Sequence, residues 1–124
     1  LVSGGFTFFA DRVQQMLGID YARSNVLEVI DGHLTGGLVN QNWGDICDGE
    51  EKKRTLLATC AQLGFGPERA IAMGDGANDL PMMRACADAG GLSVAYHAKP
   101  KVREQAMVSI ESGGLDRLLE ILRP

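Results

Sequence analysis

Ala70-Ile71-Ala72-Met73 is a short, wholly apolar run without alternation, and it opens directly into Gly74-Asp75-Gly76-Ala77-Asn78-Asp79 before a helix-like stretch from Leu80. A strand that is apolar at every residue needs cover on both faces, which is the situation inside a parallel sheet. The arrangement then repeats. Leu92 to Ala95 is a second apolar run, Pro100 suits the first turn of another helix, Val108-Ser109-Ile110 is a third short strand, and Leu115, Leu118, Leu119 and Leu122 form a last helical stripe. Strands alternating with helices over short connections are the pattern of βαβ units. The expected fold is therefore α/β, a Rossmann-like parallel sheet with helices on both faces.

The first half carries different signals. Phe6, Phe9, Val13, Met16 and Leu17 recur at helical spacing and stop at Gly18, a natural C-terminal cap. Val26 to Ile30 and His33 to Thr35 flank Asp31-Gly32, the dipeptide of a two-residue turn, so a β-hairpin insertion is expected there. From Glu50, the positions Leu56, Leu57, Cys60 and Leu63 make a second helix that ends at Gly64.

A chain of 124 residues can support one core without staples. Twelve Lys and Arg against sixteen Asp and Glu leave a net charge of −4, which excludes the basic stripe that nucleic acid requires. No apolar run is long enough to span a bilayer, so no membrane partner is expected and the protein is read as cytoplasmic. Cys47, Cys60 and Cys86 are an odd number, too widely spaced for a metal clip, and are expected to be reduced core thiols. Leu1-Val2 runs into Ser3-Gly4-Gly5 like the end of a strand, so the chain is expected to be part of something longer.

In open α/β sheets ligands bind beyond the carboxyl ends of the strands. The hexapeptide Gly74 to Asp79 stands there with two carboxylates and an amide. Clustered carboxylates repel unless a cation neutralises them or one takes a proton, and hard oxygen ligands at a strand end suit Mg²⁺ together with phosphate oxygens and water. The alternative is that Asp79 merely caps the helix containing Pro81 while Asp75 and Asn78 shape a turn. A dinucleotide site is disfavoured because Asp79 takes the third glycine's place in G-x-G-x-x-G, and a Ca²⁺ loop is disfavoured by Ala77.

A second loop, Ser3-Gly4-Gly5-Phe6, joins a strand end to a helix start, where a hydroxyl and backbone N–H groups either face an anion or simply cap the helix. Lys52 and Lys53 fall in the first turn of a helix, against its positive end, with Glu50 and Glu51 beside them either screening two solvated side chains or leaving one for a task. Periodicity does not choose between the two lysines. His33 and His97 are expected in turn and loop roles.

Taken in order, Ser3-Gly4-Gly5-Phe6, Lys52 and Gly74-Asp75-Gly76-Ala77-Asn78-Asp79-Leu80-Pro81-Met82 resemble the second, third and fourth motifs of the haloacid dehalogenase superfamily, nearest its bacterial phosphoserine phosphatase branch. Ala95-Tyr96-His97-Ala98-Lys99-Pro100-Lys101-Val102 is similar to the segment after the next strand in that branch. The resemblance implies a Mg²⁺-dependent phosphomonoesterase that takes a small substrate, L-phosphoserine, in the final step of serine biosynthesis. It implies that Asp75 ligates Mg²⁺ and that Asp79 holds a metal-bound water or orients the lysine, so that Lys52 and Asp79 are the catalytic pair and Asp75 and Asp79 the metal side. Ser3, Gly4, Lys52 and Asn78 would contact phosphate, and the family's spacing selects Lys52 over Lys53.

One departure is large. The superfamily's first motif, Asp-x-Asp, supplies the nucleophile and the acid, and no Asp-x-Asp occurs in these 124 residues; the nearest pair is Asp45 and Asp48. Residues 1–124 are accordingly expected to be the C-terminal part of a catalytic core, without its first strand or cap, and unable to turn over alone. An incomplete sheet is expected to associate with a partner, as a homodimer or by strand exchange. The alternatives are a phosphatase for another phosphomonoester and a non-catalytic metal- or anion-binding module.

Overall fold

The computed structural model describes residues 1–42, 44 and 46–123. The chain runs β1 (Val2–Phe6), α1 (Thr7–Leu17), β2 (Arg23–Asn25), β3 (Leu27–Ile30), β4 (His33–Leu38), α2 (Gly49–Gln62), β5 (Ile71–Gly74), α3 (Leu80–Asp88), β6 (Leu92–Tyr96), α4 (Pro100–Arg103), β7 (Val108–Ile110) and α5 (Arg117–Ile121). Local chemistry sets several of these boundaries. α1 stops where Gly18 enters the left-handed region at φ 64° and returns its N–H to the Gln14 carbonyl. The β3–β4 hairpin turns on Asp31 and Gly32, both at positive φ (50° and 77°), as its two-residue turn requires. α2 begins on Asp48, whose carboxylate accepts the Glu51 N–H at 2.8 Å.

The strand order β5-β6-β7 is parallel throughout, with Met73 opposite Val94 and Val94 opposite Val108. α3 crosses over from β5 to β6 and packs on both strands, and α2 packs on α3. Ala72, Leu80, Met83, Cys86, Ala95 and Val102 form the core between them. Cys47, Cys60 and Cys86 are buried and free, as expected.

The α/β fold with parallel strands and helices is as expected, and its incomplete sheet is interrupted: among the described residues β1 pairs with β2 alone and β5 with β6 alone. A cavity of about 440 Å³ separates the two sheets, bordered by Val2, Ala22, Thr55, Leu56, Ile71 and Met82. β5 is consequently not covered on both sides, and Ile71 remains exposed. An unbroken apolar run reports that a strand wants cover; it does not report whether the covering strand belongs to the same chain. The closing helix is also shorter than its leucine spacing implies. α5 spans five residues with none buried, and Leu115 and Leu122 lie outside it, because few core positions face it. Among the described residues no helix is long and apolar enough to cross a membrane.

Candidate active site

The site grows from the tip of β5. Beyond Gly74 the chain makes one 3₁₀ turn, Ala77–Asp79, and then enters α3. Asp79 does not cap α3 with its side chain. It folds back instead, its Oδ2 accepting the N–H groups of Asp75 (3.0 Å) and Gly76 (3.1 Å) while its Oδ1 accepts a proton of Lys52 Nζ at 2.7 Å. This position requires a glycine at 74, because an added Cβ there would overlap the Asp79 side chain.

Lys52 and Asp79 are both buried, with side chains 7% and 8% exposed. The reading of both lysines as solvated therefore fails for Lys52, and Lys53 is half-buried without any such partner in the described residues. Asp79 compensates the unfavourable placement of a cation in α2's first turn. Burial pushes the Asp79 carboxyl up. The Lys52 hydrogen bond, the Gly76 N–H, the Lys52 charge and the Asp75 N–H outweigh that, so the group lies below the ordinary carboxylate range.

Glu51, next to Lys52, does not screen it from solvent either. It is wholly buried, receiving Arg23 Nη1 on Oε1 at 2.6 Å, while Arg54 Nε stands 2.8 Å from Oε2 as an ion pair without hydrogen-bond alignment. Arg23 also donates to Thr55 Oγ1 at 3.1 Å, and Thr55 Oγ1 donates to the Glu51 carbonyl. The first turn of α2 is thus clamped on the β2 side by one ion pair and on the β5 side by another.

Asp75 and Asn78 are exposed on the loop. The start of α2 comes so close that a Cβ on Gly49 would stand 2.9 Å from the Asn78 carbonyl oxygen. On its other flank the same segment meets β1, where a Cβ on Gly4 would stand 3.6 Å from the Cys47 carbonyl oxygen. Residues 47–49 therefore connect β1, in which Ser3 to Phe6 lie as strand residues rather than as the expected loop, to the β5 loop. Ser3 does not cap α1, whose N-cap is Phe6 without a side-chain bond. The Ser3 Oγ accepts the Gly5 N–H at 3.0 Å, which leaves the hydroxyl proton for another acceptor.

The structure thus joins Lys52, Asp79 and the Asp75 backbone directly, and brings Asn78 and Gly4 to the two flanks of residues 47–49. Ser3 lies one residue from Gly4 on β1. Of the two acidic side chains, only Asp75 has its carboxylate free of hydrogen bonds among the described residues. Asp79 Oδ1 keeps one lone pair beside the Lys52 bond. No group of three or more His, Cys, Asp or Glu is placed to hold a metal among the described residues. One free carboxylate at a strand tip fits Mg²⁺, which takes one or two carboxylates and completes its shell with water and phosphate oxygens. His33 Nδ1 contacts the Asp31 carbonyl at the hairpin, and His97, at φ 44°, sits in the loop after β6 with Nε2 2.9 Å from the Gly113 carbonyl.

Sequence reasoning passed over three contributors. Asp48 followed by Glu51 is the spacing of an N-terminal capping signal and was readable. Asn25, buried at the end of β2, and the Arg23–Glu51 pair carry no local signal, since their partners lie 21 to 28 residues away. Asp45 lies outside the described residues.

The chain is 71% identical over 123 residues to a phosphoserine phosphatase of Polaromonas sp. (strain JS666 / ATCC BAA-500), a match covering 99% of this chain and 50% of that protein. A crystal structure of a probable phosphoserine phosphatase from Vibrio cholerae, in unliganded form, superposes with a TM-score of 0.87 at 41% identity over 98% of this chain and 35% of that one. A phospho-aspartyl intermediate analogue of phosphoserine phosphatase superposes with a TM-score of 0.84 at 35% identity over 98% of this chain and 55% of that one. The chain spans about half the length of two of the curated relatives it matches. The model of the haloacid dehalogenase-like hydrolases matches residues 1–84, across β1, Lys52 and the β5 loop alike, and the chain belongs to that family.

Proposed function

We propose that residues 1–124 are the phosphate-handling, C-terminal part of the catalytic core of a Mg²⁺-dependent phosphomonoesterase acting on L-phosphoserine. The observation that carries this reading is the buried Lys52–Asp79 pair tied by two backbone bonds to the loop that bears Asp75. An ammonium has three protons. One is given to Asp79, and the others are directed at phosphate oxygens. Asp79 holds that ammonium at a fixed distance from the β5 loop, Asn78 donates its amide from the same loop, and Ser3 gives its spare hydroxyl proton from the β1 side together with Gly4. Mg²⁺, held by Asp75, would supply further neutralisation of the phosphate oxygens.

Phosphoryl transfer relies on such positioning and charge stabilisation more than on covalent chemistry by the surrounding groups. The nucleophilic aspartate comes from polypeptide outside these 124 residues, since they contain no Asp-x-Asp. The similarity to a phospho-aspartyl intermediate analogue supports this assignment. The cavity between β1 and β5, with a strand edge on each side that has no ladder partner among the described residues, suits the strand that would bring it. In its absence the same edges favour association between copies. The free, buried thiols suit a reducing, cytoplasmic setting.

Phosphate release from L-phosphoserine tests the proposal, comparing the isolated chain with a protein extended upstream by its own gene. The expected result is Mg²⁺-dependent turnover by the extended protein and none by the isolated chain. Turnover by the isolated chain would remove the external nucleophile. A preference of the extended protein for other phosphomonoesters would remove the substrate, and inactivity toward all of them would favour a binding module.

A further inference from the structure

Asn25 is a buried side chain that bonds to both sides of the gap between β1 and the start of α2. Its Nδ2 donates to the Gly4 carbonyl at 2.9 Å, and its Oδ1 accepts the Cys47 N–H at 2.6 Å. A carbonyl at one end and an N–H at the other fix which way the amide points. Only 5% of the residue is exposed, so neither bond is shared with bulk water.

The register beyond Cys47 is short and stiff. Asp48 caps α2 through the Glu51 N–H, and the Lys52 N–H returns to the Asp48 carbonyl at 3.0 Å. One planar amide therefore sets the distance between Gly4 and the helical turn that carries Lys52. Serine is too short to reach both groups, glutamine adds a methylene to a fixed gap, and aspartate places a carboxylate oxygen against the Gly4 carbonyl. A bridge of this kind anywhere else would only add stability. Here it spans the two segments that approach the same phosphate from different elements.

We infer that Asn25 is a positioning residue of the phosphate site, holding the Ser3-Gly4 donors in register with Lys52 so that both reach one phosphate. The inference rests on the phosphate-handling reading above. Without the amide, both segments persist but no longer converge, and phosphate loses its simultaneous contacts.

Titration of the 124-residue chain with inorganic phosphate, followed by amide and side-chain NMR shifts, tests this. In the unmutated chain the resonances of Gly4, Cys47, Lys52 and the Asn25 side-chain amide are expected to move along one isotherm. That measurement needs no variant. In Asn25→Ala, affinity is expected to fall by about tenfold or more, the equivalent of about one charge-assisted hydrogen bond, with Gly4 and Lys52 no longer responding together. Ser93→Ala serves as the structural control. It removes an equally buried hydroxyl that accepts the Met107 N–H away from the site, and it is expected to leave phosphate affinity within about twofold.

A phosphate response at Gly4 and Lys52 with a stationary Asn25 amide overturns the inference alone. So does an Asn25→Ala chain that binds like the unmutated one, or a Ser93→Ala chain that weakens equally. Absence of any response at Lys52, Asn78 and Gly4 in the unmutated chain overturns the phosphate reading and the inference with it.

Discussion

The half of the molecule built from β5, α3, β6 and α4 and the half built from α1 and the β3–β4 hairpin carry apolar patterns of equal clarity, yet they end in opposite states. Met83, Cys86, Val94 and Val102 are sealed, with Val94 wholly inaccessible. On α1 only Ala10 is buried, while Phe8, Phe9, Met16 and Leu17 lie open, Met16 at 77% exposure. Val29, Ile30 and Leu34 of the hairpin are exposed as well, and a second cavity opens between α1 and the hairpin residues Leu27, Val29 and Leu34. Periodicity identifies the face of an element that needs covering; packing depends on whether a partner for that face exists in the chain. In the second half the βαβ crossover supplies one within a few residues. In the first half nothing among the described residues covers the outer face of α1.

The candidate site straddles this divide, and the ion pair that closes it offers the largest expected effect. Replacing Lys52 by methionine strands a buried Asp79 carboxylate, at a cost of about 3–5 kcal/mol in chemical unfolding. The pH dependence carries a sign. The folded Asp79 carboxyl lies below its ordinary range, so the pair contributes fully above that range, and its contribution is lost as pH falls through the lower, folded value. The stability gap between the unmutated chain and Lys52→Met should therefore narrow as pH falls below the ordinary carboxylate range. A gap that stays constant with pH would mean that Lys52 acts through packing of its stem.

Met83→Ala probes the sealed half directly. The residue is 1% exposed within the core between α3 and the sheet, and its truncation should cost about 2–5 kcal/mol. A loss below about 1 kcal/mol would show that this half is as loosely held as the other, and the contrast between them would fail.

What the sequence made legible follows the same line. The C-terminal limit of α1, the Asp31-Gly32 turn and the passage from β5 through the hexapeptide into α3 all rest on neighbours in sequence, and each appears where its residues predict. The hexapeptide also marks the site, because two carboxylates and two glycines in six residues at a strand end have few structural uses. The separation of β1–β2 from β5–β6–β7 was not legible, since strand edges are matched across distances that no local pattern encodes. Asp79 shows the limit within a single residue. Its position before Pro81 reads equally as a cap, and only the tertiary approach of α2 reveals a carboxylate turned back toward Lys52 and the Asp75 and Gly76 amides.

The smallest effect is the most discriminating for the open half. Met16→Ser removes a large apolar side chain from a position that periodicity marks as core, so a reading based on pattern alone anticipates a loss of several kcal/mol. The exposure of Met16 anticipates a change within about 0.5 kcal/mol in the isolated chain, because almost no buried area is lost. Unfolding at several protein concentrations separates the two. A small, concentration-independent change confirms that α1's outer face is uncovered in a single copy. A loss above about 2 kcal/mol at high concentration that disappears on dilution would show that copies of the chain cover this face for one another, since stability gained by association follows mass action. A large loss at every concentration would place Met16 inside a packed core and erase the difference between the two halves.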